Sequence, residues 1–467
     1  MTPTLAEPEE ELTVHDTVVE VPISPRRRLL TGIAFTLAGL VIFFGWGVSA
    51  RNGEAAFQVS QFFDRWQVPD LRYPGGGAAM VMGVIVLIIG LLRLVPDLPV
   101  DGPGAVRSGA TRALVRAARF TDATRIRRRW SLVITLLLFV LAFLSWAATG
   151  APGQPLNPIS LTGVVQNTVT SSIPYILGAL AGVVCERSGV INVAIEGQML
   201  VGAFAGALVA SWAHNLGWGL FASLVGGALI GILLAVFAIR YLVNQVVLGV
   251  VLNTLALGLT NLGFHSIMAG EANSAKFNAG PTLTPIKIPF LGDIPIIGQA
   301  LFNVNIIVYI TYGLILVVQL WLFGTRWGLR TRAVGEHPRA ADTVGIKVNR
   351  MRYRNVIIGG LIAGLAGATL TIGGSGQFNG NISSGKGFIA LAAVIFGRWS
   401  PGGAVAAALL FGFFDQVQVT LGIVGTPVGI PAAFLTMAPY VVTVIAVAGL
   451  VGRVQAPAAD GEPYTKS

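Results

Sequence analysis

The sequence predicts an all-α polytopic membrane protein: a ten-helix core of two inverted five-helix repeats, preceded by two extra N-terminal transmembrane helices. Three observations carry this expectation. Of 467 residues, 54% are hydrophobic and only 11% charged, with a mean hydropathy of +0.74. A soluble chain carries about 25% charged residues, so this one could not clothe a water-facing surface. Apolar stretches recur along the chain, most of them near the roughly 20 residues a helix needs to cross a bilayer. The basic residues, finally, segregate between alternate loops. Water-soluble enzymes, secreted disulfide scaffolds and disordered chains are excluded, and the single Cys185 removes any internal disulfide or cysteine-built metal site.

Spans are expected at 29–50, 76–95, 131–149, 161–184, 190–213, 216–239, 245–268, 303–324, 355–374, 386–397, 402–420 and 431–452. The tail 1–28 is acidic (Glu7, Glu9, Glu10, Glu11, Asp16, Glu20) and ends in Arg26, Arg27 and Arg28. It lacks the apolar core and small-residue cleavage site of a secretory signal, so it is expected to be retained in the cytoplasm. The two extra spans occupy 29–95. An arginine-rich cytoplasmic linker, 96–129, follows, either lying on anionic lipid or simply solvated. The core divides into a first half, 130–268, and a second, 303–452, around an external loop, 269–302. A cytoplasmic loop, 325–354, lies within the second half, and 453–467 is a cytoplasmic tail. The stretch 386–397 is too short to span unless protein protects its glycine-rich flanks.

Charge placement sets the direction. If odd-numbered crossings leave the cytoplasm, the inner loops hold 24 of the 31 lysines and arginines. The outer loops keep only Arg51, Arg65, Arg72, Lys276, Lys287 and Lys386. Positive residues resist translocation, so both termini are expected inside. The net charge of +10 is thereby a topology signal, and no nucleic acid is needed to explain it. Five crossings per half is an odd number, and the run LGALAG (Leu177–Gly182) echoes IAGLAG (Ile362–Gly367). The halves therefore read as inverted repeats with a substrate path at their interface. Chance likeness between small-residue segments is the alternative.

Polar groups inside spans are the candidate path. Asn192, Glu196 and Gln198 fall in the first turns of the 190–213 span. An ionisable Glu196 is costly to bury and should face the bundle interior or a wet cavity. Its four-residue spacing puts it on one helix face with Asn192. The competing reading is a polar clamp that orients helices and touches no cargo. Asn253 and Asn261, eight apart, share a face. Asp415 interrupts the 402–420 run, either lining the path or lying near the outer rim. Phe204, Phe264 and Phe388 are candidates for aromatic stacking, with packing as the alternative. The run GNISSGKG (380–387) nearly spells a phosphate-binding loop, but Gly387 stands where a magnesium-holding hydroxyl belongs, so it reads as coincidence. The four histidines are scattered without ligand spacing, so no metal site is expected.

The loop 325–354 carries the second candidate. Within Gly335–Gly345, Pro338 marks a helix start and Gly345 a stop. A helix of about two turns would set Ala340, Ala341 and Val344 on one side, with Arg339 and Asp342 nearer the other. Such a helix either docks in a partner's groove or is a capped surface helix.

The segments ERSGVINVAIEGQM (186–199) and GEHPRAADTVGIKVNRMRYRNVIIGGLIAGLAGA (335–368) resemble the permease subunits of bacterial ABC importers for nucleosides. These belong to the larger group of ribose-type sugar and branched-chain amino acid permeases. The likeness covers roughly residues 130–452, and NQVVLG (Asn244–Gly249) points the same way. It implies a fold similar to the permeases of the vitamin B12 importer class, working by alternating access in the bacterial cytoplasmic membrane. It implies that Gly335, Glu336, Pro338, Arg339, Ala341, Asp342 and Gly345 form a coupling helix seated on a cytoplasmic ABC ATPase. It implies a second homologous permease and an extracellular substrate-binding lipoprotein as further partners, beside membrane lipids. ATP and magnesium then belong to the ATPase, leaving this chain without cofactor or catalytic role. Residues 1–129 depart from the family's shorter pattern. A sugar or branched-chain amino acid permease is one alternative. An ion-coupled transporter with Glu196 or Asp415 as proton site is another.

Overall fold

The structure, a computed structural model, describes residues 25–59, 68–95, 125–149, 158–425, 437 and 455–465. The expected span at 431–452 and most of the 1–28 tail and 96–129 linker lie outside the described residues. Among the described residues, nine helices are long and apolar enough to cross a membrane. Two shorter apolar helices, Val133–Ala147 and Lys386–Phe396, fall at the remaining expected stretches. The chain forms two compact units, one of residues 1–56 and 72–157, the other of 57–71 and 158–467.

In the first unit, α1 (Pro25–Leu40) continues as π-helix to Val48, α2 spans Gly75–Leu94, and α3 spans Arg125–Ala147. Glycines let α1 and α2 meet backbone to backbone: a Cβ on Gly39 would stand 2.6 Å from Leu87 N, and one on Gly90 2.5 Å from Thr36 N. Small-residue approach of this kind drives helix association where lipid removes the hydrophobic incentive. Arg28 donates to the carbonyls of Arg93 (3.2 Å) and Val95 (2.8 Å), the end of α2 where orphan acceptors and the helix dipole favour a cation. The sequence division at 129/130 grouped the 131–149 crossing with the core. The structure packs it as α3 within the first unit, because Leu138, Phe139 and Ala142 share one apolar cluster with Ile42, Trp46, Ala79 and Val86.

The second unit holds α4 (Leu161–Glu186), α5 (Ile195–Ala213), α6 (Leu216–Ala235), α7 (Gln245–Gly263), α8 (Glu271–Phe277), α9 (Ile297–Phe302) and α10 (Ile306–Gly324). It continues with α11 (Arg326–Glu336), α12 (Pro338–Thr343), α13 (Val348–Leu370), α14 (Lys386–Phe396) and α15 (Pro401–Val424). Side-chain oxygens start many of them: Ser160, Asn215, Asn244, Asn305, Thr325 and Ser400 each accept from a first-turn N–H. Of the membrane-length helices, α4 is the most buried. Its glycines face α14: a Cβ on Gly178 or Gly182 would come within 2.7 Å of Ala390 or Val394. On α13, Gly367 faces α5, where a Cβ would stand 2.1 Å from Met199 O, and Gly364 faces α6, where one would stand 2.2 Å from Ser223 O. The loop 269–302 is folded, with Ile286–Lys287 paired antiparallel to Asn303–Val304 and Lys287 bonded to Asp293 at 2.6 Å. Asn278 ties this loop to the segment before α14, donating to Phe378 O at 2.9 Å and accepting from Phe378 N at 2.7 Å.

Candidate functional site

Two broken helices meet at Glu196. The chain leaves α4 at Glu186, turns through Gly189 (φ +84°) and starts α5 only at Ile195. The loop before α14 is bent by left-handed Asn381, Ser384 and Gly385. The Glu196 carboxylate, 8% exposed, closes that loop. Its Oε1 accepts from Ser383 Oγ (2.6 Å) and Gly385 N (2.8 Å), and its Oε2 from Gly387 N (2.6 Å). Anions are favoured at a helix N-terminus, and bonds to a charged acceptor are the strong ones. The run 380–387 is thus an anion cradle, filled by a carboxylate of the same chain. Contact demands glycine at 387, where a Cβ would stand 2.5 Å from Glu196 N and Cα.

The other expected path residues divide into two groups. Asn192 and Glu196 do not share a helix face, because α5 begins after Asn192. Asn192 instead forms a closed amide pair with Gln198 (3.0 and 3.3 Å), both fully buried. Asn253 holds the α5 entry, accepting from Gly197 N at 2.8 Å and donating to Val193 O at 2.9 Å. Asn261, half-buried on the same helix, lies against the cradle loop: a Cβ on Gly380 would come 2.9 Å from its Oδ1. Phe388 is exposed on α14, and Asp415 on α15 is half-buried, accepting from the Tyr175 hydroxyl at 3.2 Å. Phe204 and Phe264 pack on the buried Phe378 ring, at 5.3 and 5.9 Å between centroids.

The far end of α14 is also held. Arg187 Nε donates to Trp399 O at 2.7 Å, Arg187 Nη2 to Arg398 O at 3.3 Å, and the Trp399 indole to Glu186. The segment 186–196 therefore grips α14 at both ends.

Beside this grip lies the hairpin. Pro338 occupies the first turn of α12, and Gly345 (φ +84°) ends it, with Ile346 N donating to Ala341 O at 3.0 Å. The helix is shorter than expected, and its apolar residues do not share a side. Ala341 is buried with Val334, Val348, Met351 and Tyr464, whereas Ala340, Arg339 and the 75% exposed Val344 face outward. Residues 340 and 344 are one turn apart, and 341 is rotated about 100° from 340. Gly335 seats the hairpin on the α4 turn: a Cβ there would stand 2.3 Å from Arg187 O. Glu336 Oε2 accepts from Ala458 N at 3.1 Å and Gly335 O from Ala459 N at 2.9 Å. Asp342 is half-buried and interacts with Tyr464.

Sequence reasoning missed Ser383, Arg352 and the tail 455–465. Arg352 is buried on α13 and donates to Ser188 O (3.2 Å) and Glu462 O (2.8 Å), fastening the tail between turn and hairpin. Burial pushes the Asp460 carboxyl up to about 7, against the downward pull of Arg352 and the Gly461 N–H. A cluster of eight basic residues in one loop hid Arg352, since all eight served the topology argument equally well.

Apolar helices broken at a buried carboxylate, beside a hairpin with an exposed outer edge, have the build of a membrane permease. Residues 164–447 match the family model described as branched-chain amino acid transport system / permease component, and the chain belongs to that family. It is 42% identical over 318 residues to the guanosine ABC transporter permease protein NupQ of Bacillus subtilis, covering 66% of this chain and 97% of that one. It is 38% identical over 317 residues to the nucleoside ABC transporter permease protein NupC of Lactococcus lactis, 65% of this chain and 97% of that one. To the glucose ABC transporter permease protein TsgB13 of Haloferax volcanii it is 26% identical over 336 residues, 67% and 87% of the two chains. No solved structure matches the chain.

Proposed function

We propose that the chain is the membrane permease of an ATP-driven importer whose cargo is a nucleoside. The near-complete coverage of the guanosine and nucleoside permeases carries this reading. The glucose permease relative supports a sugar importer as the second reading.

In this proposal the halves are inverted repeats and rock against each other. Reciprocal packing supports it: α4 of the first half lies on α14, α13 of the second lies on α5, and the starts of α5 and α14 meet at Glu196. The end bearing Arg187, Arg398 and the hairpin faces the cytoplasm, and the docked tail supports a C-terminus on that side. Arg339, Ala340 and Val344 are the surface offered to a separate ATPase, which binds ATP and magnesium. A second homologous permease completes the path, and an external lipoprotein delivers the cargo. We assign Asn261, Phe388 and Asp415 to the path, because they are accessible and, unlike the half-buried Asn253, are not bonded to the backbone at the α5 entry. Asn192, Gln198, Asn253 and Glu196 hold the broken helices instead. With three donors on its carboxylate, Glu196 is a latch, which weighs against its use as a proton carrier. Cargo contacts should be weak, since a deep well would slow release.

The test is uptake of labelled guanosine by a strain deleted for this chain and complemented with it. Uptake is expected to be competed by other nucleosides and not by glucose or branched-chain amino acids. It should persist when the proton gradient is collapsed with ATP maintained. Uptake that follows the gradient, or competition by glucose alone, contradicts the proposal.

A further inference from the structure

A cavity of about 600 Å³ opens between the start of α11, the turn after α12 and the start of α13. Four cations line it, Arg330, Lys347, Arg350 and Arg354, all with exposed side chains, beside an apolar wall that includes Trp327 and Leu329. The lining has no aspartate or glutamate, and among the described residues none of the four forms an ion pair. Like charges gathered without a counter-charge repel one another, so the cluster is best served by an anion from outside.

Its depth identifies the anion. Trp327 stacks on Trp321, ring centroids 5.9 Å apart, and Trp321 belongs to the last turns of the membrane-length α10. Arg354 lies 5.3 Å over the Trp327 ring, and Arg350 is one turn before it, just ahead of the apolar run that starts at Val356. Tryptophan and arginine at the ends of spanning helices mark the headgroup layer. A free phosphate would have no use for the apolar wall, where Leu329 is 62% exposed. A phospholipid has a use for both parts.

We propose that this cavity binds the phosphate headgroup of an anionic phospholipid, with the glycerol and upper acyl chain against Trp327 and Leu329. The bound lipid would bridge α11, α13 and the Gly345–Lys347 turn, bracing the hairpin from the membrane side. The inference does not depend on which cargo the bundle carries.

The test uses the full chain purified in detergent and in nanodiscs. Native mass spectrometry would count retained phosphatidylglycerol or cardiolipin, and thermal midpoints would be titrated with phosphatidylglycerol, phosphatidylcholine, inorganic phosphate and ATP. Phosphatidylglycerol is expected to be retained and to raise the midpoint, while phosphatidylcholine, phosphate and ATP do not. The pair R350Q/R354Q should weaken lipid binding about tenfold or more, since each basic residue near an anionic surface adds to attraction. The exposed single change K347Q guards against a folding defect and should weaken it less, and R350K/R354K should restore most of it. Unchanged lipid retention in the glutamine variants overturns the proposal. So does an equal midpoint shift from phosphate or ATP, or displacement of the lipid by the ATPase with Lys347 crosslinked to an ATPase carboxylate.

Discussion

Removing the Glu196 carboxylate is the sharpest perturbation of the broken-helix junction. Glu196→Ala strips an acceptor from three donors at once: the fully buried Ser383 hydroxyl and the N–H groups of Gly385 and Gly387. A buried polar group left without a partner costs about 1–3 kcal/mol, so the two buried orphans, Ser383 and Gly387, set a floor of about 2 kcal/mol, with the half-buried Gly385 adding less. Glu196→Gln keeps an oxygen for Ser383 and Gly385 but turns an amide N–H toward Gly387 N. It loses one bond to a charged group, about 1.5–3 kcal/mol. Ser383→Ala loses a bond of the same kind in the native background, whereas once Glu196 is alanine it removes one of the orphans and stabilises. The assay is a double-mutant cycle on unfolding free energies of the purified permease in bicelles, for Glu196→Ala, Ser383→Ala and both together. The geometry predicts a coupling of about 1 kcal/mol or more between the two sites. If Ser383→Ala costs the same in both backgrounds, the carboxylate does not hold the α14 start and the latch reasoning fails.

Gly335→Ala would press a Cβ to 2.3 Å from the Arg187 carbonyl, whereas a Cβ on Gly324 meets nothing within 4 Å. Uptake should fall about tenfold or more for the first, in line with overpacking costs, and stay unchanged for the second. Asp460 titrates near 7 when folded, against an ordinary value of 3.8. The folded tail therefore holds a proton the free tail has lost in that window, and docking weakens as pH rises through about 7. The groups facing it are Arg352 and Glu186. Limited proteolysis of 455–465 should accelerate from pH 6 to 8, and Asp460→Asn should flatten the dependence. Tyr464→Ala removes an aromatic from the cluster around Ala341, so hydrogen exchange in 338–346 should speed up about tenfold, read by mass spectrometry.

The long apolar runs made the membrane helices legible, because a span must satisfy its backbone internally whatever its neighbours do. The short stretch at 386–397 was legible for the same reason, and α14 occupies it. Proline and glycine announced both ends of α12, since their backbone preferences are local. What stayed hidden depends on partners distant in sequence. Glu196 meets Ser383 across 187 positions, and no periodicity relates them. Asn192 looked like a helical neighbour of Glu196, but the Ser188–Gly189 turn delays α5 to Ile195 and sends Asn192 to Gln198 instead. Hydrophobicity alone made Ala341 and Val344 equivalent. The tail residue Tyr464 decides which one is covered, and its 455–465 segment carries no apolar pattern. The placement of α3 likewise follows from side-chain packing that a hydropathy profile does not contain.

In the proposed function, force enters the permease through the outward edge of the hairpin. The most direct test is site-specific crosslinking in intact cells from cysteine placed at Val344, 75% exposed, and at Ala341, 3% exposed. Crosslinks from Val344→Cys to a nucleotide-hydrolysing subunit, strong and sensitive to its ATP state, are predicted, with Ala341→Cys silent. Labelling of Val344→Cys by a membrane-impermeant reagent applied outside the cell, with no ATPase adduct, would contradict it.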